Sequence, residues 1–462
     1  MYKFRTHRKK IIADLITPVS VYQKIRDNFP NSILLESSDY GANDNSYAYI
    51  CFNPTSTFKV NKNTVEIIYP DNKTETSKIN KLNSVVDQLN LYKSKFQLEK
   101  SDSKFFENGV IGYMNYDSVQ YFENIEFDSK KNKINIPDIF YSFYSNIIII
   151  NVFNNEATLL HHSFDEKNNL NTIEDCIRSN KSAKYNFEKS GKISSNLNDQ
   201  EYIDLVKKGI KHCKRGDVFQ TVLSRKFKQS FEGDEFNLYR ALRSINPSPY
   251  LFYFDYGGYK IFGSSPEAQL VVRNNKAEIH PIAGTFLRTG DDYKDSIEAK
   301  KLAVDQKENS EHMMLVDLAR NDLSRNGNNV TVEKDREIQF YSHVIHLVSK
   351  VTGKLKSHSK DIIGSTFPAG TLSGAPKHMA MKLIEKYEQH NRSFYGGAIG
   401  FIDFENNFNH AILIRSFLSK NQNLFFQAGA GIVSKSNPND ELNEVYNKVG
   451  ALLKALKKAE EI

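Results

Sequence analysis

Two Glu-x-x-Glu pairs lie far apart in the chain: Glu308 and Glu311 in KENSEHMMLVDLARNDL, and Glu441 and Glu444 in DELNEVYNKVGALLKAL. The apolar spacing of both segments predicts helices, and carboxylates three apart on a helix share one face. At roughly 100° per residue, Glu311 falls between Leu315 and Leu318, on the apolar stripe, where an unpaired carboxylate is costly. In the second segment Leu442, Val445, Tyr446, Val449, Leu452, Leu453 and Leu456 form the stripe, and Glu441, Glu444 and Lys448 crowd along its edge. Four acids brought together would repel one another unless a cation sat among them. An all-oxygen donor set of this kind suits Mg²⁺, which keeps waters and shares its shell with a substrate anion. Either pair alone also fits a solvated helix edge, and the sequence does not prove that the two helices meet.

Other residues are placed for acid–base or anion chemistry. Gln220 alternates with Val218 and Val222 on one strand face, so it is either a satisfied buried amide or a group facing a ligand. Glu267 follows Gly263-Ser264-Ser265-Pro266 at a predicted strand end. It is either a surface turn residue or a carboxyl presented into a cleft, where desolvation would make it a general acid for a leaving hydroxyl. Arg415, inside the apolar run AILIRSF, either pairs with a structural acid or grips a ligand carboxylate in a bidentate fork. His346 is a core-edge histidine or an acid–base group. Three glycine turns, around Ala283-Gly284-Thr285, Gly370–Lys377 and Gly429-Ala430-Gly431, can aim N–H groups at an anion or serve tight packing. The middle one is not a nucleotide loop, because that pattern needs Gly then Lys where this chain has Ala375 and Pro376.

The elements that must hold these residues read as a mixture of helices and strands. Thr17-Pro18 predicts the start of a helix over PVSVYQKIRDNF. Ser32–Glu36 and Asn146–Phe153 read as strands, the latter followed by a hairpin turn at Asn154-Asn155. The Asn-, Lys- and Ser-rich stretch from about Ser179 to Asp199 reads as a surface connector, dividing residues 1–180 from 200–462. A helix then runs to Gly216, followed by strands at 218–227, 250–256, 259–263, 269–272 and 277–279. A single long helix is expected over 297–323. Hairpins outnumber strand–helix alternation, so the sheets should be large and at least partly antiparallel.

With 462 residues and 39% hydrophobic content the chain can bury a substantial layered core. A net charge of +7 is modest for this length and lacks a basic stripe with interleaved aromatics, which argues against nucleic-acid binding. No apolar run approaches the ~20 residues needed to span a bilayer. Asp14 interrupts the apolar start at Ile11–Ala13, so no signal-peptide core is read. Three cysteines without CxxC spacing fit a reducing compartment. A soluble cytoplasmic protein is expected.

Taken in order, GDVFQTVLSRKF, NPSPYLFYF, GSSPE, HPIAGT, KENSEHMMLVDLARNDL, HVIHLVSKVTG, FPAGTLSGAPK, YGGAIGF, IRSF and AGAGIV followed by the second acidic helix resemble the chorismate-utilising enzymes, and among them the anthranilate-forming branch. The resemblance covers nearly all of residues 200–455, and TPVSVY and LLESSD extend it to the regulatory region in the N-terminal part. It implies an α+β fold of two large packed antiparallel β-sheets flanked by helices, with the active site in a cleft between them. It implies a Mg²⁺ site at Glu308, Glu311, Glu441 and Glu444, with Glu311 and Glu444 as direct ligands. It assigns Glu267 as the acid that protonates the departing C4 hydroxyl, His346 as the active-site histidine, and Thr285, Ala283 and Gly284 a place beside the ring. Tyr395, Arg415, Lys448 and the backbone at Gly429, Ala430 and Gly431 would hold the carboxylates of chorismate.

Relatives that add water to chorismate carry a Lys base at the position of Gln220, and the 4-amino branch carries a nucleophilic Lys at the position of Ala283. Gln220 with Ala283 therefore points to ammonia as nucleophile and anthranilate with pyruvate as products. Ammonia would come from a separate glutamine amidotransferase subunit, since no such site can be assembled from this chain. Leu34, Glu36 and Ser37, with Pro249, Tyr250 and Leu251, resemble a site for feedback inhibition by L-tryptophan, Leu251 standing where many relatives have Met. Lys435 departs from an Asp common in the family. The alternatives are the 4-amino branch of the same family, which supplies folate synthesis, and a non-catalytic ligand-sensing relative.

Overall fold

The computed structural model describes residues 1–37, 46–99, 103–164, 167–179, 183–340, 344–356 and 361–462, without the side chain of Thr285. Ser38 and Asp39 of the LLESSD string and His343 of HVIHLVSKVTG lie outside the described residues.

Apart from a two-residue pairing of Tyr2–Lys3 with Phe96–Gln97, every described strand belongs to one hydrogen-bonded network that closes on itself. It divides into two antiparallel leaves. The first runs in the order Arg5–Ile12, Glu156–Ser163, Ile139–Asn151, Tyr47–Asn61, Ile33–Glu36, Tyr250–Asp255, Lys260–Ser265, Ser416–Lys420, Asn423–Ile432, Gln220–Gly233 and Phe187–Ser195. The second starts at Thr74–Lys78 and Thr64–Ile68 and shares Tyr47–Asn61 and Ile139–Asn151 with the first. It continues through Val110–Met114, Ala398–Ile402, Phe408–Ile412, Ala268–Arg273 and Lys276–Ile279 to Val344–Leu355, which also pairs with Ile282–Leu287 and Gly327–Phe340. The two shared strands are long, and a bulge between Pro54 and Ser56 lets them bend from one leaf into the other.

Residues of both leaves meet in one apolar core: Ile33, Phe252, Phe254, Ile261 and Leu418 from the first, and Ile111, Tyr113, Ile399 and Ala411 from the second. Helices cover the outer faces. Pro438–Lys458 packs on Asn423–Ile432, and Gln306–Asn326 packs on the strands at 282–287, 327–340 and 344–355. Each acidic helix therefore belongs to a different leaf.

Local signals explain several boundaries. Thr17 and Ser20 form a reciprocal capping box with Pro18 in the first turn. Asn198 and Glu201 form a second one at the start of Asp199–Arg215, which ends at Gly216 with φ +86°. Three expectations need correction. The long helix is two helices, Asp292–Val304 and Gln306–Asn326, because Asp305 has extended backbone and its carboxylate accepts the Glu308 N–H (2.9 Å), capping the second. The stretch taken as a connector contains the strand Phe187–Ser195, paired with Gln220–Gly233; its outward polar side chains hid an edge strand. The 146–153 strand begins earlier, at Ile139, and ends at Asn151, leaving exposed Val152 and Phe153 in the turn.

Candidate active site

Gln220 opens its strand opposite Ala375 and lies one residue from the register with Asn423–Ile432, where Val222 faces Gly431. Its side chain crosses towards the other leaf, and Nε2 donates to Glu311 Oε1 at 3.0 Å. A Cβ at Gly431 would lie 2.4 Å from that nitrogen, so only glycine leaves the amide room to reach the helix. Gly429 is similarly constrained, by the Leu223 carbonyl at 2.7 Å.

The acidic helices do converge. Burial raises the Glu311 carboxyl above the usual range, and the charges of Glu308 and Glu444 add to the rise, while the Gln220 hydrogen bond and Lys448 oppose it. Burial also pushes Glu441 up to about 7, with Ser436 opposing and Glu444 adding. Glu308 stands beside Gly284, whose φ is +75°. Glu311 is half-buried rather than on the core stripe of its helix, which is made by His312, Leu315, Val316, Ala319, Asp322 and Leu323. Among the described residues no three of these acids form a ready-made metal-holding group. The donor set is nonetheless all oxygen and held together against its own repulsion, so a hard divalent cation fits it.

Lys448 bridges the acids to the rest of the cleft. Its Nζ pairs with Glu444 at 2.6 Å and donates to the Gly429 carbonyl at 3.0 Å. Partial loss of hydration lowers its pKa, although the side chain stays 45% exposed, and the negative charge of Glu444, with Tyr395 and Glu311, leaves it raised, so it is a cation.

On the far side stands Glu267, one residue beyond Pro266 at the end of Lys260–Ser265 and only 9% exposed. Burial pushes its carboxyl up to about 8, opposed by a hydrogen bond from Thr371 and by the charges of Lys448 and Arg415. Thr371 Oγ1 donates to Glu267 Oε1 at 2.9 Å. A cavity of about 30 Å³ lies against this carboxyl, lined also by Gln269, Leu315, Leu318 and Asp322. That is room for a molecule the size of water.

Arg415 is not within a strand. It occupies the break between Phe408–Ile412 and Ser416–Lys420, where the chain leaves the second leaf for the first, and it has φ +49°. The pattern AILIRSF hides this break because residues on both sides are apolar. The Arg415 carbonyl accepts the Ser264 N–H at 3.1 Å. Its charge acts on both Glu267 and His346, so the guanidinium shares their space. His346 is buried, with Nδ1 3.0 Å from the Gly284 carbonyl, the geometry of a donated hydrogen bond. Burial takes its pKa down to about 4, and Arg415 and Lys448 push in the same direction, so the ring is neutral near pH 7. Thr285 faces His346 in register, and Ala283 faces Leu347. Tyr395 is buried, and burial raises its hydroxyl pKa, with Lys448 among the opposing charges.

The candidate effector residues gather elsewhere. Leu251 pairs with Glu36 and Tyr253 with Leu34 across adjacent strands. Glu36 is buried, accepting from Tyr239 Oη at 2.6 Å and from Arg243 Nε at 3.0 Å. Pro249 and Tyr250 lead into the same strand, and Ser37 follows Glu36.

Sequence reading passed over three features. Thr371 was visible only as part of a glycine turn. Lys377 Nζ forms a buried ion pair with Asp322 at 2.5 Å, fixing that turn to the first acidic helix. Arg392 is 1% exposed and paired with Glu388 at 2.7 Å. Glu388 and Arg392 lie beyond the end of the helix Lys377–Tyr387, so no helical spacing signals their pairing.

A family model described as chorismate binding enzyme matches residues 31–454. The chain is 36% identical over 476 residues to anthranilate synthase component 1 of Aquifex aeolicus, covering 98% of this chain and 94% of that protein. It is 35% identical to the protein of the same name from Bacillus subtilis, covering 97% and 92%. Among solved structures it is similar to anthranilate synthase component I from Streptococcus pneumoniae, with TM-score 0.78 and 28% identity over 96% of this chain and 99% of that one. The isochorismate synthase MenF of Escherichia coli shares the fold, with TM-score 0.74 and 17% identity over 98% and 94%.

Proposed function

The chain belongs to the family of chorismate-binding enzymes, and we propose that within it this protein converts chorismate and ammonia to anthranilate, pyruvate and water. The observation that carries the reading is Glu267: a buried carboxyl with its pKa raised to about 8, facing the same space as Arg415 and Lys448. An acid kept protonated near neutral pH, beside two cations able to hold a dicarboxylate, is what loss of a hydroxyl from chorismate needs.

Arg415, Lys448 and Tyr395 bind and orient the carboxylates. Ammonia forms the new bond at C2, and the C4 hydroxyl departs as water with the proton of Glu267. Loss of the C2 proton and cleavage of the bond to the enolpyruvyl oxygen then release pyruvate and leave the aromatic ring. The neutral His346 ring, oriented by the Gly284 carbonyl, lies beside the reacting ring without adding charge. Glu308, Glu311, Glu441 and Glu444 would hold Mg²⁺, which supplies positive charge for the substrate carboxylate when bound. Gln220, committed through Nε2 to Glu311, offers no base for activating water, which favours ammonia.

Ammonia would be delivered by a glutamine amidotransferase subunit, and L-tryptophan would inhibit through the strands bearing Glu36 and Leu251. Incubation of the pure chain with chorismate, Mg²⁺ and ammonium should yield the fluorescence of anthranilate with equimolar pyruvate. Glutamine in place of ammonium should give nothing. A para-substituted or hydroxylated product would overturn the assignment.

A further inference from the structure

We propose that Arg392, which is outside the cleft, is a positioning residue that holds three separate walls of the site in register. Its guanidinium donates to the Val222 carbonyl at 2.7 Å and the Leu372 carbonyl at 2.5 Å, and forms a two-point pair with Glu388 at 3.0 and 2.7 Å. Val222 lies two residues from Gln220 on the same strand, and Leu372 follows Thr371, the donor to Glu267. The guanidinium carbon also sits 5.6 Å from the centroid of Tyr395 and 4.7 Å from that of Tyr116. Glu388 Oε1 extends the grip by accepting from the Ser224 N–H (2.9 Å) and hydroxyl (2.6 Å), opposite Gly429 in register.

A fully buried ion pair contributes little net stability compared with an apolar replacement, so retention of one here calls for a geometric reason. A planar fork satisfies two carbonyls from different segments, a carboxylate and two aromatic faces at once, and a lysine ammonium cannot. Arg392 is thus the side chain through which the Gln220 strand, the Thr371 turn and Tyr395 are referenced to one another. The inference rests on the proposed reaction, whose own control is anthranilate formation by the unaltered chain; failure there would defeat that reading and not this one.

The test compares Arg392→Lys with the double variant Arg392→Met/Glu388→Gln, which removes both buried charges together. Both are checked for folding by circular dichroism and thermal melting. Displacing substrate-holding groups by a fraction of an ångström to an ångström costs on the order of tenfold to a hundredfold. We therefore expect the KM for chorismate to rise by about tenfold in a folded variant. The alkaline limb of the pH–rate profile should move to higher pH, because Thr371 no longer favours the ionised form of Glu267 while Lys448 and Arg415 still face it. A role confined to holding the core would lower the melting temperature without moving that limb. A folded variant with unchanged KM and an unshifted limb overturns the proposal, and so does failure of both variants to fold.

Discussion

Replacing Glu267 with Gln tests the acid assignment on two independent axes. The side chain is 9% exposed and its pKa is about 8 against an ordinary value of 4.5. At pH 7 about nine in ten molecules then carry the proton, and at pH 9 about one in ten, so wild-type activity at fixed free ammonia should fall as pH rises through about 8. Gln keeps the shape and still accepts from Thr371, but it has no proton to give. Loss of a positioned general acid typically costs 10²–10⁴-fold in kcat, and chorismate binding should remain within a few-fold.

The second axis is stability. A carboxyl whose folded pKa is raised favours the folded state fully below its unfolded pKa and loses that contribution as pH climbs through the folded value. Between pH 4.5 and 8 the shift corresponds to at most about 5 kcal/mol of lost stability at alkaline pH. Glu267→Gln should therefore melt above wild type at pH 8.5 and lose most of that advantage at pH 5, read by calorimetry. Retained turnover would remove the acid role, and a melting difference independent of pH would refute the buried, protonated carboxyl itself.

Other perturbations address the rest of the cleft. Mg²⁺ should raise the melting temperature of the wild-type chain and chelation should abolish turnover; Glu311→Gln should lose the Mg²⁺-dependent increment. Gly431→Ala places a methyl 2.4 Å from Gln220 Nε2, the far end of a flexible side chain, so the amide should swing away at little cost to the fold and lose its bond to Glu311; kcat/KM for chorismate should fall about tenfold, the scale of one lost hydrogen bond to a charged group. Ser37→Ala should relieve inhibition by added L-tryptophan without changing uninhibited kcat; an unmoved inhibition curve would displace the effector site.

Much of this was legible in the sequence because the signals were local. The helix start at Thr17-Pro18, and Gly216 as a helix stop, need only neighbours. The two acidic pairs could be placed on helices from spacing alone, but their meeting is a property of the sheet network, which carries one helix on each leaf. Where reading failed, long-range geometry had overridden a local pattern. Arg415 looked like part of a strand because the chain changes leaves within an apolar run. Phe187–Ser195 looked like a connector because an exposed edge strand needs no apolar face. Thr371, Lys377 and Arg392 act through partners far off in sequence, and no periodicity announces that.

The position of Arg415 links these observations. A residue at φ +49° in a break between strands is held by its surroundings, and one holding contact is Ser264 N–H to its carbonyl at 3.1 Å. Ser264 in turn pairs with Leu251 in register and exchanges hydrogen bonds with Asn246, and three residues on the chain reaches Glu267. The Glu267 carbonyl then accepts from Ile412 N–H at 3.0 Å, back on the strand that leads into Arg415. Glu267, Arg415 and the segment bearing Tyr250 and Leu251 are therefore joined by one short backbone circuit. Burial is tolerated because the raised pKa keeps the Glu267 carboxyl neutral, and in the proposed reaction an acid fixed to the same frame as Arg415 would spend little reorganisation in reaching the leaving hydroxyl.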